Sequence, residues 1–259
     1  MNRIDQLFEK KSHDILSVYF CAGAPEPDST AGVIRALQRG GVDMVEIGLP
    51  FSDPLADGPV IQTAAMRALK GGMSVRRLFA QLEGIRSDVS IPLIIMGYLN
   101  PIMQYGFEAF CQKCSEVGVD GLIIPDLPLR EYEEHYRATA RAHGLEMIML
   151  ITPETEDERI RRIDADSRGG FIYMVSSAAT TGAQREFDAR KQQYFARIDE
   201  MNLHRPRMIG FGISNEATYR AAAAHAAGVI IGSRFVTLLD ETRNPDKAVS
   251  QLLHDIGRE

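Results

Sequence analysis

The chain has 259 residues, 45% of them hydrophobic, enough for one large core, and its formal net charge of −6 comes without any block of like charge. Phosphate-backbone recognition needs clustered Lys and Arg, so a nucleic-acid partner is excluded. No run is long and apolar enough to span a bilayer, no secretory signal opens the chain, and three cysteines are too few for a disulfide framework, so a cytosolic protein is expected.

In chain order, the first segment, roughly residues 2 to 11, reads as a helix capping the floor of whatever follows. Eight short runs rich in β-branched or large apolar residues then recur: "ILSVYFCA" from Ile15, "MVEIGLP" from Met44, "IPLIIMGY" from Ile91, "GLIIPDL" from Gly121, "EMIMLI" from Glu146, "FIYMVS" from Phe171, "RMIGFGI" from Arg207 and "GVIIGS" from Gly228. Amphipathic stretches lie between them, among them "STAGVIRALQRG", "GFEAFCQKCSEVG", "REYEEHYRATARAHG" and "NEATYRAAAAHAAG". Several open on Ser, Asn or an acidic residue and close on Gly, which are start and stop signals for helices. Eight strand-then-helix units without a linker predict a single (β/α)8 TIM barrel over residues 1 to 259, with the extra N-terminal helix; a doubly wound open sheet is the alternative. The C-x-x-C pair, Cys111 and Cys114, falls in a helix with no second such pair and no His at ligand spacing, and reads as ordinary helix cysteines.

In a barrel of this kind the active site lies at the C-terminal ends of the strands. Alternation along the second strand puts Met44, Glu46 and Gly48 on one face and Val45, Ile47 and Leu49 on the other. The wholly apolar face suits the surrounding helices, so Glu46 points into the barrel, with Gly48 leaving space between the carboxylate and the mouth. A carboxyl among apolar neighbours has a raised pKa and can serve as acid and then base near neutral pH. A structural glutamate paired with a buried donor fits the strand equally well. The loop that follows, "FSDPLADGP", adds Asp53 and Asp57; Asp57, in a turn before Gly and Pro, is expected to be solvated and ionised, either as the partner of Glu46 or simply as a turn-forming Asx residue.

The seventh and eighth runs end in "GFGIS" and "IIGSR", each before a helix, where Gly212, Gly232 and Ser233 suit a phosphate; tight turns alone would also account for these glycines. "SSAATTGAQREF" is small and polar and reads as a lid or an ordinary surface loop. None of the six lysines or six histidines falls on a strand, which leaves a Schiff-base or metal-dependent aldolase without its nucleophile or ligands, and no Gly-rich dinucleotide fingerprint follows the first strand. Carboxylate acid–base chemistry on a small phosphorylated substrate remains.

The segment "EIGLPFSDPLADGPVIQ", supported by "GYLNPI", "PDLP", "TTGA", "GFGIS" and "IIGS", resembles the signature of the tryptophan synthase alpha chain family, and the likeness runs along nearly the whole chain. The resemblance implies a (β/α)8 barrel that cleaves indole-3-glycerol phosphate to indole and glyceraldehyde 3-phosphate, with no cofactor or metal of its own. It also implies a pyridoxal-phosphate-dependent beta chain as partner in an α2β2 complex. By the matching motif, Glu46 would protonate C3 of the indole and take the proton of the glycerol hydroxyl, while Asp57 would accept a hydrogen bond from the indole N–H. Tyr173 would lie beside Glu46, and Tyr19, Tyr98, Ile123, Leu150 and Phe211 would wall the indole pocket, although Ile123 and Leu150 suit the core alone. Gly182, Gly212, Gly232 and Ser233 would hold the phosphate, Thr181 would bond Asp57 on lid closure, and Pro50, Asp53 and Asn100 would face the beta chain. The lid departs from the best-known members, carrying Ser177 and Ala179 where they have Arg and Gly, with Gln184 and Arg185 after the glycine. A lyase that works without a partner, a ligand-binding barrel that only activates one, and another phosphosugar enzyme are the rival readings.

Overall fold

The computed structural model describes residues 2–166, 169–175, 189–210 and 212–258. Its parallel strands are β1 (Ile15–Cys21), β2 (Met44–Gly48), β3 (Leu93–Met96), β4 (Gly121–Ile123), β5 (Glu146–Met147), β6 (Met149–Ile151), β7 (Ile172–Val175), β8 (Arg207–Gly210) and β9 (Gly228–Ile231). Their hydrogen-bonded order is β5-β4-β3-β2-β1-β9-β8-β7-β6. Nine segments replace the expected eight because "EMIMLI" is broken at Ile148. Glu146 and Met147 pair with β4, while Met149 to Ile151 pair with β7. The two ends of the series are therefore consecutive pieces of one strand, and the sheet curls into a barrel rather than the open alternative.

Burial explains why these runs extend. Every residue of β1 and β2 is buried, as strands covered on one face by helices and on the other by the barrel interior must be. The helices pack from outside on apolar stripes: Val33, Ile34 and Leu37 in Thr30–Arg39, and Phe107, Phe110, Cys111 and Cys114 in Phe107–Val117. The last of these ends at Gly118, whose φ of +80° is the left-handed C-cap that glycine adopts without strain. Cys111 and Cys114 thus face the core, and burial pushes the Cys111 thiol up to about 12. Asn215 starts Glu216–Ala223 with a reciprocal capping box, but that helix stops at Ala223, short of the alanine-rich run expected to prolong it.

The first helix, Arg3–Lys10, caps the floor as expected. The Asn2 side chain accepts from the Ile4 N–H and donates to the carbonyls of Asp120 and Gly144, which precede β4 and β5. Asp120, 3% exposed, receives Arg3, Arg86 and the Leu93 N–H, so its charge is compensated beneath the strands. No described helix is long and apolar enough to cross a membrane.

Candidate active site

Glu46 is fully buried in the barrel interior, beside β1. Parallel register sets Tyr19 opposite it, and Ser17, one inward position below, donates its hydroxyl to Glu46 Oε1 at 2.8 Å. Oε2 has no hydrogen-bond partner among the described residues. Loss of solvent pushes the Glu46 carboxyl up to about 8, against the opposing pull of the Ser17 bond, so at neutral pH it holds its proton. Among the described residues no cation lies at hydrogen-bonding distance of it.

Asp57 departs from expectation. It is 8% exposed rather than solvated. The Ala56 N–H donates to Tyr98 Oη at 2.9 Å, and Tyr98 Oη donates to Asp57 Oδ2 at 3.2 Å. Burial raises the Asp57 carboxyl to about 6, with the Tyr98 bond acting in the opposite direction. The two carboxyls therefore differ in the direction chemistry needs: near pH 7 Glu46 is an acid and Asp57 a carboxylate.

The space above Glu46 is not open as the glycine implied. A Cβ on Gly48 would lie 2.1 Å from Tyr19 Oη, and one on Gly210 would lie 2.3 Å from Tyr173 Oη. Each glycine makes room for a phenol, so Tyr19 and Tyr173 cover the carboxylate layer. Burial first, then the nearby negative charges of Glu46 and Asp57 among others, holds both phenols well above their ordinary value and hence protonated.

Above them lies a cavity of about 320 Å³ whose walls include Tyr19, Asp57, Met96, Tyr173 and Ile230 together with Gly212, Ser214, Gly232 and Ser233. Gly212 has a φ of +77°, a backbone form that favours glycine, and Ser233 begins the helix Ser233–Thr242, whose first N–H groups face away from their own helix. One cavity thus brings aromatic and carboxylate side chains together with backbone suited to an anion. Among the described residues no group of three or more His, Cys, Asp or Glu could hold a metal.

Other expected residues are dispersed. Ile123 is fully buried and Leu150 half-buried, both outside the cavity wall. Pro50 is buried within the chain itself, whereas Asp53 and Asn100 are exposed. Thr181, Gly182 and Phe211, with the lid positions Ser177, Ala179, Gln184 and Arg185, lie outside the described residues. Ser17, Met96 and Gly210 went unnoticed in the sequence; inward alternation with Tyr19 along β1 was the available signal for Ser17. Leu55, 93% exposed beside Asp53, and Met103, 44% exposed near Asn100, add an apolar element to that rim.

A parallel barrel with its titratable pair at the C-terminal mouth has the layout of a barrel enzyme, here one equipped for proton transfer. The family model for the tryptophan synthase alpha chain matches residues 6–258. A tryptophan synthase alpha chain of Bacteroides fragilis is 62% identical over 252 residues, covering 97% of this chain and 95% of that protein. The crystal structure of the alpha chain from Legionella pneumophila superposes with a TM-score of 0.88 at 34% identity, covering 99% of this chain and 96% of that one. A tryptophan synthase structure from M. tuberculosis in an aminoacrylate-bound form superposes at 0.84 with 29% identity, covering 99% and 98%. The chain belongs to the tryptophan synthase alpha chain family, the lyases that cleave indole-3-glycerol phosphate in tryptophan biosynthesis and work with a beta chain.

Proposed function

We propose that Glu46 and Asp57 carry out this cleavage in the described cavity, with the indole between Tyr19, Tyr173 and Asp57 and the phosphate at Gly212, Gly232 and Ser233. The supporting observation is a fully buried carboxyl with one oxygen unpartnered and a pKa near 8, placed a layer below a cavity that contains an ionisable aspartate. Protonated Glu46 delivers its proton to C3 of the indole, and the positive charge moves to the ring nitrogen. Asp57, ionised, accepts the N–H hydrogen bond and stabilises that charge. The Glu46 carboxylate then removes the proton of the glycerol hydroxyl next to the ring. The C–C bond breaks, its electron pair returns to C3, and indole and glyceraldehyde 3-phosphate leave with Glu46 protonated as at the start. The substrate itself becomes the electron sink, so neither a lysine nor a metal is required.

The rim formed by Asp53, Leu55, Asn100 and Met103 is the surface we assign to the pyridoxal-phosphate-dependent beta chain of an α2β2 complex, because a large exposed apolar side chain among polar neighbours is characteristic of interaction sites. A cytoplasmic location follows from that partnership. The test is indole release from indole-3-glycerol phosphate by the purified chain, with and without added beta chain, native against Glu46→Gln. Release that increases with the beta chain and disappears in the variant supports the assignment; full activity in Glu46→Gln removes it.

A further inference from the structure

Among the described residues one polar side chain bonds the buried carboxyl of Glu46, and it does so at a single oxygen. Ser17 lies on the inward face of β1, two residues before Tyr19, and is wholly buried. Its hydroxyl is 2.8 Å from Glu46 Oε1 and opposes burial in setting the proton affinity of that group, whereas Oε2 has no partner. On the other flank the register partner of Glu46 is Ile94 of β3, which offers no hydrogen bond. A strand position covered on both sides ordinarily takes an apolar residue, as Leu16 and Val18 do next to it. A hydroxyl placed there loses its water, and the bond to Glu46 is what compensates it.

The two proton transfers make different demands on this carboxyl. It first gives a proton to C3 and becomes a carboxylate in a dry interior, where charge is most costly, and it then accepts the proton of the glycerol hydroxyl. A hydroxyl donating to Oε1 is most stabilising in the interval between, because a hydrogen bond to a carboxylate is roughly twice as strong as one to a neutral acid. The bond also aims the group. With the Ser17 proton directed at Oε1 the carboxyl proton stands on Oε2, and turning the carboxyl about its last bond breaks the contact. We propose that Ser17 is the positioning residue of the acid, holding Glu46 by Oε1 so that both proton transfers pass through Oε2. The carboxyl O–H bond breaks with its electron pair left on Oε2, and the charge is shared with Oε1 against the Ser17 hydroxyl. The glycerol proton then bonds to the same Oε2, while Ser17 keeps its own proton throughout. The proposal rests on the assignment of Glu46 as the acid and adds the group that aims it.

The experiment sets native chain beside Ser17→Ala and Ser17→Thr. Indole-release kinetics are measured in complex with the beta chain, and the Glu46 side-chain carboxyl of the isotope-labelled full chain is titrated by NMR. At neutral pH Glu46 holds its proton with or without the Ser17 bond, so a slower reaction there reports aim rather than protonation state. Ser17→Ala should lower kcat ~10-fold, the equivalent of one hydrogen bond in the transition state, and leave KM within about twofold. The Glu46 titration and the alkaline limb of the activity profile should both move up by ~1 pH unit or more, since the bond that favours the carboxylate is gone. Ser17→Thr, which returns the hydroxyl, should recover most of both. Unchanged kcat in folded Ser17→Ala, or a Glu46 titration that does not move, would overturn the proposal. Should Ser17→Ala fail to fold, Ser17→Cys keeps the size, donates only weakly and gives the same comparison. Full activity in Glu46→Gln would remove the acid assignment and this proposal with it, whereas an inactive Glu46→Gln beside an unaffected Ser17→Ala would remove Ser17 alone.

Discussion

Replacing Glu46 by Gln should separate catalysis from stability, because the same burial that suits the group for acid chemistry makes its charge unfavourable. The folded chain holds the Glu46 proton up to about pH 8, whereas an ordinary glutamate releases it near 4.5. Between those values the folded state binds a proton that the unfolded state has lost, so the Glu46 contribution to stability falls as pH rises and levels off above the folded value. The whole interval is equivalent to about 5 kcal/mol at ~1.4 kcal/mol per unit, of which about 4 kcal/mol is expressed between about pH 5 and about pH 8.5. Gln keeps the shape and can still accept from Ser17, and its buried amide carries a penalty that does not change with pH. The advantage of Glu46→Gln over native chain, measured by urea unfolding, should therefore grow by about 4 kcal/mol across that range while indole release falls by ~10²-fold or more. A stability difference that stays flat with pH would mean that Glu46 is solvated or ionically paired in the folded chain, and the argument for its acid role would fail.

Three further outcomes follow from the same geometry. Indole release should have a bell-shaped pH profile, rising through about 6 as Asp57 ionises and falling through about 8 as Glu46 loses its proton; Tyr98→Phe should move the acid limb up and Ser17→Ala the alkaline limb up, since each removes a bond that lowers its partner's pKa, and opposite shifts would contradict the assignment. Gly48→Ala should destabilise the chain by ~1–3 kcal/mol and reduce activity by displacing Tyr19, with Tyr19→Phe in the same chain restoring part of the loss; a neutral Gly48→Ala in thermal unfolding would show that the phenol is not confined. Leu55→Asp should leave the activity of the isolated chain unchanged and abolish its enhancement by the beta chain in a titration of one subunit into the other, and an unaltered titration would remove Leu55 from the interface.

Glu46 could be placed inward from the sequence because a two-residue period decides which face of a strand meets the core, and Val45, Ile47 and Leu49 left little choice. Local rules failed where distant residues decide. Asp57 looked like a solvated turn residue, yet it is buried and bonded to Tyr98, far along the chain. Gly48 looked like a void because the phenol that fills it belongs to the neighbouring strand. The pattern of "EMIMLI" likewise carries no sign that its two halves bond to different neighbours.

That division at Ile148 has a consequence for the working molecule. Around the ring, β1 stands at the middle of the bonded series and the two halves of the broken strand stand at its ends. The hand-over between them is joined to β4 by only two register pairs, Gly121 with Glu146 and Leu122 with Met147, whereas β1 and β2 share five. The paired register is shortest at that hand-over, across the barrel from β1, which carries Ser17 and Tyr19. The acid thus sits where the wall is most continuously paired, and the strands that set its proton affinity are the best-bonded part of the ring.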